Sequence, residues 1–101
     1  MSDNVGVMIV SHSLAVASGT AEMVRQIGGD NIPISFAGGN ADGGLGTDVE
    51  VILKGLQEIW TEAGIVVLYD LGSAEMSSEA AIEMLPEYQQ KRINICEAPL
   101  V

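Results

Sequence analysis

The sequence predicts an α/β fold, a doubly wound, mainly parallel sheet of four or five strands with helices on both faces. Four short apolar runs rich in β-branched residues, Val5 to Val10, Ile32 to Phe36, Ile65 to Tyr69 and Ile93 to Cys96, recur along the chain. Strands covered on both faces read as such continuous runs rather than as alternations. Segments of helical period lie between them, which favours parallel pairing through crossovers. Apolar residues make up 48% of the chain and aromatics only 4%, so the interior is built from aliphatic layers rather than stacked rings.

The first strand gives way at Ser11-His12-Ser13 to a helix in which Leu14, Ala17, Ala21, Val24 and Ile27 share one stripe and Gly28-Gly29 supplies the stop. Its small residues permit close packing on the sheet. Pro33, near the start of the second strand, suits a beginning or an edge because proline cannot donate to a ladder. A second helix carries Val49, Ile52, Leu53, Leu56, Ile59, Trp60 and Ala63, with Thr47 or Asp48 as its cap and Gly64 as its end. A third runs from Ser73 or Ala74 to Leu85, before Pro86. Met8, Met23, Met76 and Met84 are expected as packing material, Trp60 as core or subunit contact, and Cys96 as a small buried apolar residue.

A chain of 101 residues holds one domain, 1–101, with a single core. Fourteen acidic residues face only Arg25, Lys54, Lys91 and Arg92, a net charge of −10, too little positive charge to neutralise a nucleic-acid backbone. Either solubility or attraction to a basic protein surface accounts for that acidity. No apolar run approaches the roughly 20 residues of a membrane span. A lone cysteine and an N-terminus without a basic flank point to the cytoplasm.

Three loops at strand carboxyl ends carry the candidate chemistry, because open α/β sheets place ligands there. His12, the single histidine, is a candidate nucleophile toward phosphorus. Asp70, at the end of a neighbouring strand, is placed to accept from His12 Nδ1 and direct Nε2 outward; as an alternative it is a helix cap or turn residue. Gly72 and Ser73 open a helix whose first amides suit an anion, and equally form an ordinary turn and cap. The run from Gly38 to Asp48 holds five glycines in eleven positions. It is not a P-loop, since Leu45 stands where lysine is needed, and an unliganded loop is the alternative. No dense metal-ligand set and no G-x-S-x-G elbow is present, so metal catalysis and serine hydrolysis are unsupported.

Ser11-His12-Ser13, the glycine-rich Gly38 to Asp48 segment and Asp70-Leu71-Gly72-Ser73-Ala74 together resemble the DhaM family of phosphotransfer subunits of phosphoenolpyruvate-dependent dihydroxyacetone kinases, within the mannose-type IIA superfamily. The likeness extends from Val5 to Val101. It implies a phosphohistidine carrier: the phosphocarrier HPr donates to His12, and His12 passes the group to ADP on the kinase subunit DhaL, with DhaK holding dihydroxyacetone in the wider complex. His12 is then the phosphorylated nucleophile, Asp70 its orienting partner, and Gly72, Ser73 and Thr47 the phosphoryl-binding groups. Gly38, Gly39, Asp42, Gly43 and Gly44 form the docking face. No cofactor is expected on this chain, with magnesium and ADP on the partner. Relatives dimerise and continue into a further C-terminal helix, so a homodimer is expected and the fourth strand is to be covered by a partner or by such a helix. Two other functions are left open, the IIA domain of a mannose-family sugar transporter and a non-catalytic α/β binding module.

Overall fold

The computed structural model describes residues 4–29, 31–39, 47–70 and 72–97. Along the chain run β1 (Gly6–Ser11), α1 (Leu14–Gly28), β2 (Ile34–Gly38), α2 (Val49–Glu58), β3 (Ile65–Tyr69), α3 (Gly72–Glu83), α4 (Glu87–Gln90) and β4 (Ile93–Glu97). The four strands form one sheet in the order β2-β1-β3-β4, and every pairing is parallel. Because β2 and β3 flank β1 on opposite sides, the winding direction reverses between β1 and β3. That is the switch point at which such sheets open a crevice beyond their carboxyl ends.

The period of two along each strand divides the core into two layers. Met8, Val10, Ala37, Ile65, Val67 and Tyr69 pack with Ile52, Leu56, Ala74, Ala81, Ile82 and Leu85 beneath α2 and α3. On the opposite face Ile9 meets Ala17 and Ala21 of α1, with Val7, Ile34 and Leu68 against them. The two alanines let α1 lie close to the sheet. Gly55 serves the other face similarly, since a Cβ there would stand 2.8 Å from the Met8 methyl and from Ser35 Oγ.

Element ends follow local chemistry. Ser13 caps α1 by accepting from the Val16 amide at 3.4 Å, and Gly29 closes it at φ 83°, a backbone state that glycine adopts without strain. Asp48, rather than Thr47, caps α2, accepting from the Glu50 and Val51 amides at 3.0 and 3.4 Å. Pro33 lies just ahead of β2, an edge strand, and its carbonyl accepts from Val7.

Several expectations from sequence are corrected. The second helix ends at Glu58, with Ile59 as its C-cap, and the apolar stripe beyond it continues as irregular chain. Trp60 is half-buried there, packed against the larger core and edge-on to Tyr88 of α4 at 6.2 Å between ring centres. Met23, Met76 and Met84 are exposed, so of the four methionines expected in the core only Met8 is buried there; Leu14 and Ile27 of the first stripe are exposed as well. Cys96 is also exposed: it shares with Asn94 the α1-side face of β4, which no described element covers, while Ile93 and Ile95 face the core. The short helix α4 follows Pro86, its N-cap, whose carbonyl accepts from the Gln89 and Gln90 amides at 2.9 and 3.1 Å.

Candidate functional site at the β1 and β3 carboxyl ends

Adjacent strands in register place Val10 beside Tyr69. One residue further on, Ser11 and the residue after Tyr69, Asp70, are therefore neighbours across the sheet. Both continue the face occupied by Ile9 and Leu68, where two successive side chains change from apolar to polar at the strand ends.

Ser11 is wholly buried and Asp70 is 6% exposed. A buried carboxylate requires donors to offset lost hydration. Asp70 receives them on both oxygens. Oδ1 lies 3.1 Å from His12 Nδ1, while Oδ2 accepts from Ser11 Oγ at 2.7 Å and from the His12 backbone amide at 3.3 Å. The His12 side chain keeps 20% of its surface exposed, against 2% for that of Asp70. The ring thus stands between a buried anion and the outside, and a proton on Nδ1 is the one that the carboxylate can hold.

Ser11 Oγ in turn accepts from the Ser13 amide at 3.1 Å, and Ser13 is the cap of α1. One hydroxyl therefore connects the carboxylate to the first turn of the helix that follows His12. From sequence alone Ser11 reads only as a flank of His12. The signal available was its position: Val7, Ile9 and Ser11 share one strand face, so a polar residue there falls where an apolar one is the rule.

The other expected site residues are distributed unevenly. Gly72 is the exposed first residue of α3, and a Cβ built on it would meet nothing within 4 Å among the described residues. The Ser73 side chain lies outside the described part of the chain. Thr47 is half-buried and its hydroxyl bonds that of Ser77 on α3 at 2.5 Å, which joins the segment leading into α2 to the helix that begins near Asp70. Gly38 is half-buried and Gly39 is buried. A Cβ on Gly38 would stand 2.6 Å from Leu14 Cα and Ser13 O, and Gly39 is buried with φ 77°. Asp42, Gly43 and Gly44 lie outside the described residues. Among the described residues, no three His, Cys, Asp or Glu side chains are grouped to hold a metal ion, and no helix is long and apolar enough to cross a membrane.

Comparison with known proteins gives this geometry a context. Residues 6–101 match the EIIA-man family model, described as the PTS system fructose IIA component. The phosphoryl donor subunit DhaM of PEP-dependent dihydroxyacetone kinase 2 from Listeria innocua is 34% identical over 97 residues, covering 96% of this chain and 78% of that protein. The DhaM subunit of Escherichia coli is 33% identical over 100 residues, 96% of this chain but 21% of its own length, so this chain spans about a fifth of that longer relative. The crystal structure of a protein of unknown function, EF1359, superposes with a TM-score of 0.81 at 39% identity, covering 100% of this chain and 76% of that one. The chain belongs to the EIIA-man family, in which its curated relatives are DhaM phosphoryl donor subunits.

Proposed function

We propose that this chain is a phosphohistidine carrier that receives a phosphoryl group from HPr on His12 and delivers it to ADP bound on a DhaL subunit, in support of dihydroxyacetone phosphorylation in the cytoplasm. The observation that carries the proposal is the 3.1 Å approach of His12 Nδ1 to the buried Asp70 carboxylate, in a chain whose relatives are phosphoryl donors.

The chemistry follows from where the proton sits. With Nδ1–H held by Asp70, the Nε2 lone pair forms a bond to phosphorus as the phosphorus–nitrogen bond to the donor histidine breaks, and that electron pair stays with the donor ring. The His12 ring becomes a phosphorylated imidazolium, whose positive charge the carboxylate stabilises without taking the proton. A terminal oxygen of ADP then attacks phosphorus, the bond to Nε2 breaks, and the pair returns to the neutral ring. Each step exchanges one bond to phosphorus for another. Phosphoryl transfer mainly demands alignment and stabilisation of equatorial charge. The start of α3 at Gly72 and Ser73 supplies amides and the positive end of a helix dipole to those oxygens, and Thr47, tied to the same helix through its Ser77 bond, is the third phosphoryl-binding group of this reading. Magnesium and ADP belong to the DhaL partner, DhaK holds dihydroxyacetone, and the chain acts as a homodimer. The docking face includes Asp42, Gly43 and Gly44.

Incubation with phosphoenolpyruvate, enzyme I and HPr should add one acid-labile phosphate, absent in His12→Ala. Phosphate on serine, or phosphate retained by His12→Ala, would exclude the carrier mechanism. A second reading is favoured by the description of the matched family, a IIA component of a sugar phosphotransferase system. Phosphorylated protein that discharges to a IIB subunit and never to ADP on DhaL would establish it.

A further inference from the structure

We propose that Ser11 is a positioning residue for His12: by donating to Asp70 Oδ2 it fixes the carboxylate so that Oδ1 takes the Nδ1 proton, and it thereby selects the imidazole tautomer with its lone pair on Nε2. Its consequence for phosphoryl transfer rests on the carrier reading of His12, whereas tautomer selection rests on the geometry alone.

Ser11 closes β1 on the face where Val7 and Ile9 pack against α1, and it is 0% exposed. A hydroxyl in that place costs stability unless its bonds are made. Those bonds lead into the site. Oγ donates to Asp70 Oδ2 at 2.7 Å, the shorter of the two bonds described at that oxygen, and accepts from the Ser13 amide at 3.1 Å. His12 lies between Ser11 and Ser13 in the chain, so one side chain ties the backbone on both sides of the histidine to the carboxylate facing its ring.

The terminal torsion of an aspartate is broad, and packing alone selects a carboxylate orientation poorly. Here the two oxygens are distinguished: hydroxyl and backbone amide converge on Oδ2, and the ring nitrogen meets Oδ1. Removing the hydroxyl leaves the Ser13 amide without this acceptor and lets the carboxylate turn. Its hold on Nδ1–H then loosens, and the neutral ring populates the Nε2–H tautomer, which has no lone pair to offer at the outward nitrogen.

Because His12 is the one histidine in the sequence, its ring nitrogens give unambiguous signals in ¹⁵N NMR of the whole chain. The unphosphorylated protein should show mainly Nδ1–H. In Ser11→Ala the Nε2–H fraction should rise several-fold, and transfer from phosphorylated HPr should slow by about tenfold to a hundredfold, the usual effect of losing an orienting partner. Ser11→Thr, which keeps the hydroxyl, should return both toward the original values. If Ser11→Ala does not fold, Ser11→Cys, close in volume but a poor donor, is expected to show the same tautomer change. A folded Ser11→Ala or Ser11→Cys with the original tautomer ratio would overturn the assignment, as would a folded Ser11→Thr that behaves like alanine. Failure of the unmodified protein to accept phosphate would count against the carrier reading alone, since the tautomer spectrum needs no phosphate.

Discussion

His12 Nδ1 and Asp70 Oδ1 stand 3.1 Å apart although 58 positions separate them in the chain. Parallel pairing of β1 with β3 accounts for the encounter, because both residues follow directly from strand ends held in register. The carboxylate is the more deeply buried partner, and replacing it changes the ring that solvent and partners meet. Asp70→Asn is expected to keep the fold and to slow phosphorylation of His12 by about a hundredfold or more, the order seen when an imidazole loses its orienting carboxylate. Single-turnover labelling from phosphorylated HPr measures it.

Gly38 touches the backbone at the start of α1, with Leu14 Cα and Ser13 O both 2.6 Å from where a Cβ would stand. Neither atom is the end of a flexible side chain, so the helix start must move. Gly38→Ala should cost about 1–3 kcal/mol, the range for overpacking a closed contact. It should also slow phosphorylation, since Ser13 follows His12. Denaturant unfolding together with labelling tests both parts.

Asp48 accepts two amides at the start of α2. Asp48→Ala should cost about 1 kcal/mol, which for a domain near 100 residues lowers the midpoint of thermal unfolding by roughly 4–8 °C. Asp48→Asn, which keeps an acceptor oxygen, should lose much less. Calorimetry of the two variants separates capping from charge.

Tyr69 is 8% exposed and donates its hydroxyl to Glu75 at 3.1 Å. Burial first, then the Glu75 carboxylate, raises its phenol above the ordinary value of 10.0. A group raised in the folded state contributes stability that is present below the unfolded value and lost as pH climbs through the folded one. The stability difference between the native chain and Tyr69→Phe should therefore be constant from pH 7 to about 9 and shrink above about 10. Unfolding midpoints across that range, with tyrosinate absorbance as a second readout, check it; a difference that stays flat through about pH 11 would show that folding does not raise the phenol.

The fold class was legible in the sequence because the two central strands, covered on both faces, cannot hide their composition, and the two edge strands keep enough of it to be recognised. The four runs of Val, Ile and Leu, the glycine after the first helix and Pro33 ahead of β2 each report a local constraint, and each is found within two residues of its expected place. Less legible were the faces that packing leaves open. Met23, Met76, Met84 and Cys96 fit an apolar pattern, yet which side of a helix or strand is covered depends on neighbours distant in sequence. The apolar stripe overshoots the second helix for a related reason: Ile59 is buried and Trp60 half-buried by packing, which such a stripe reports equally well for helix and for irregular chain.

In the site, residue order alone dictates that an imidazole follows one strand, a carboxylate another, and that glycines lie near both. Which atoms meet depends on the folded sheet: the β2-β1-β3-β4 order makes Ser11, His12 and Asp70 neighbours, and assigns the two carboxylate oxygens to different donors. Residue spacing along a chain fixes local geometry over a few positions. Contact across 58 of them requires a sheet register, which is set by the sum of many packed side chains and is written in no single motif.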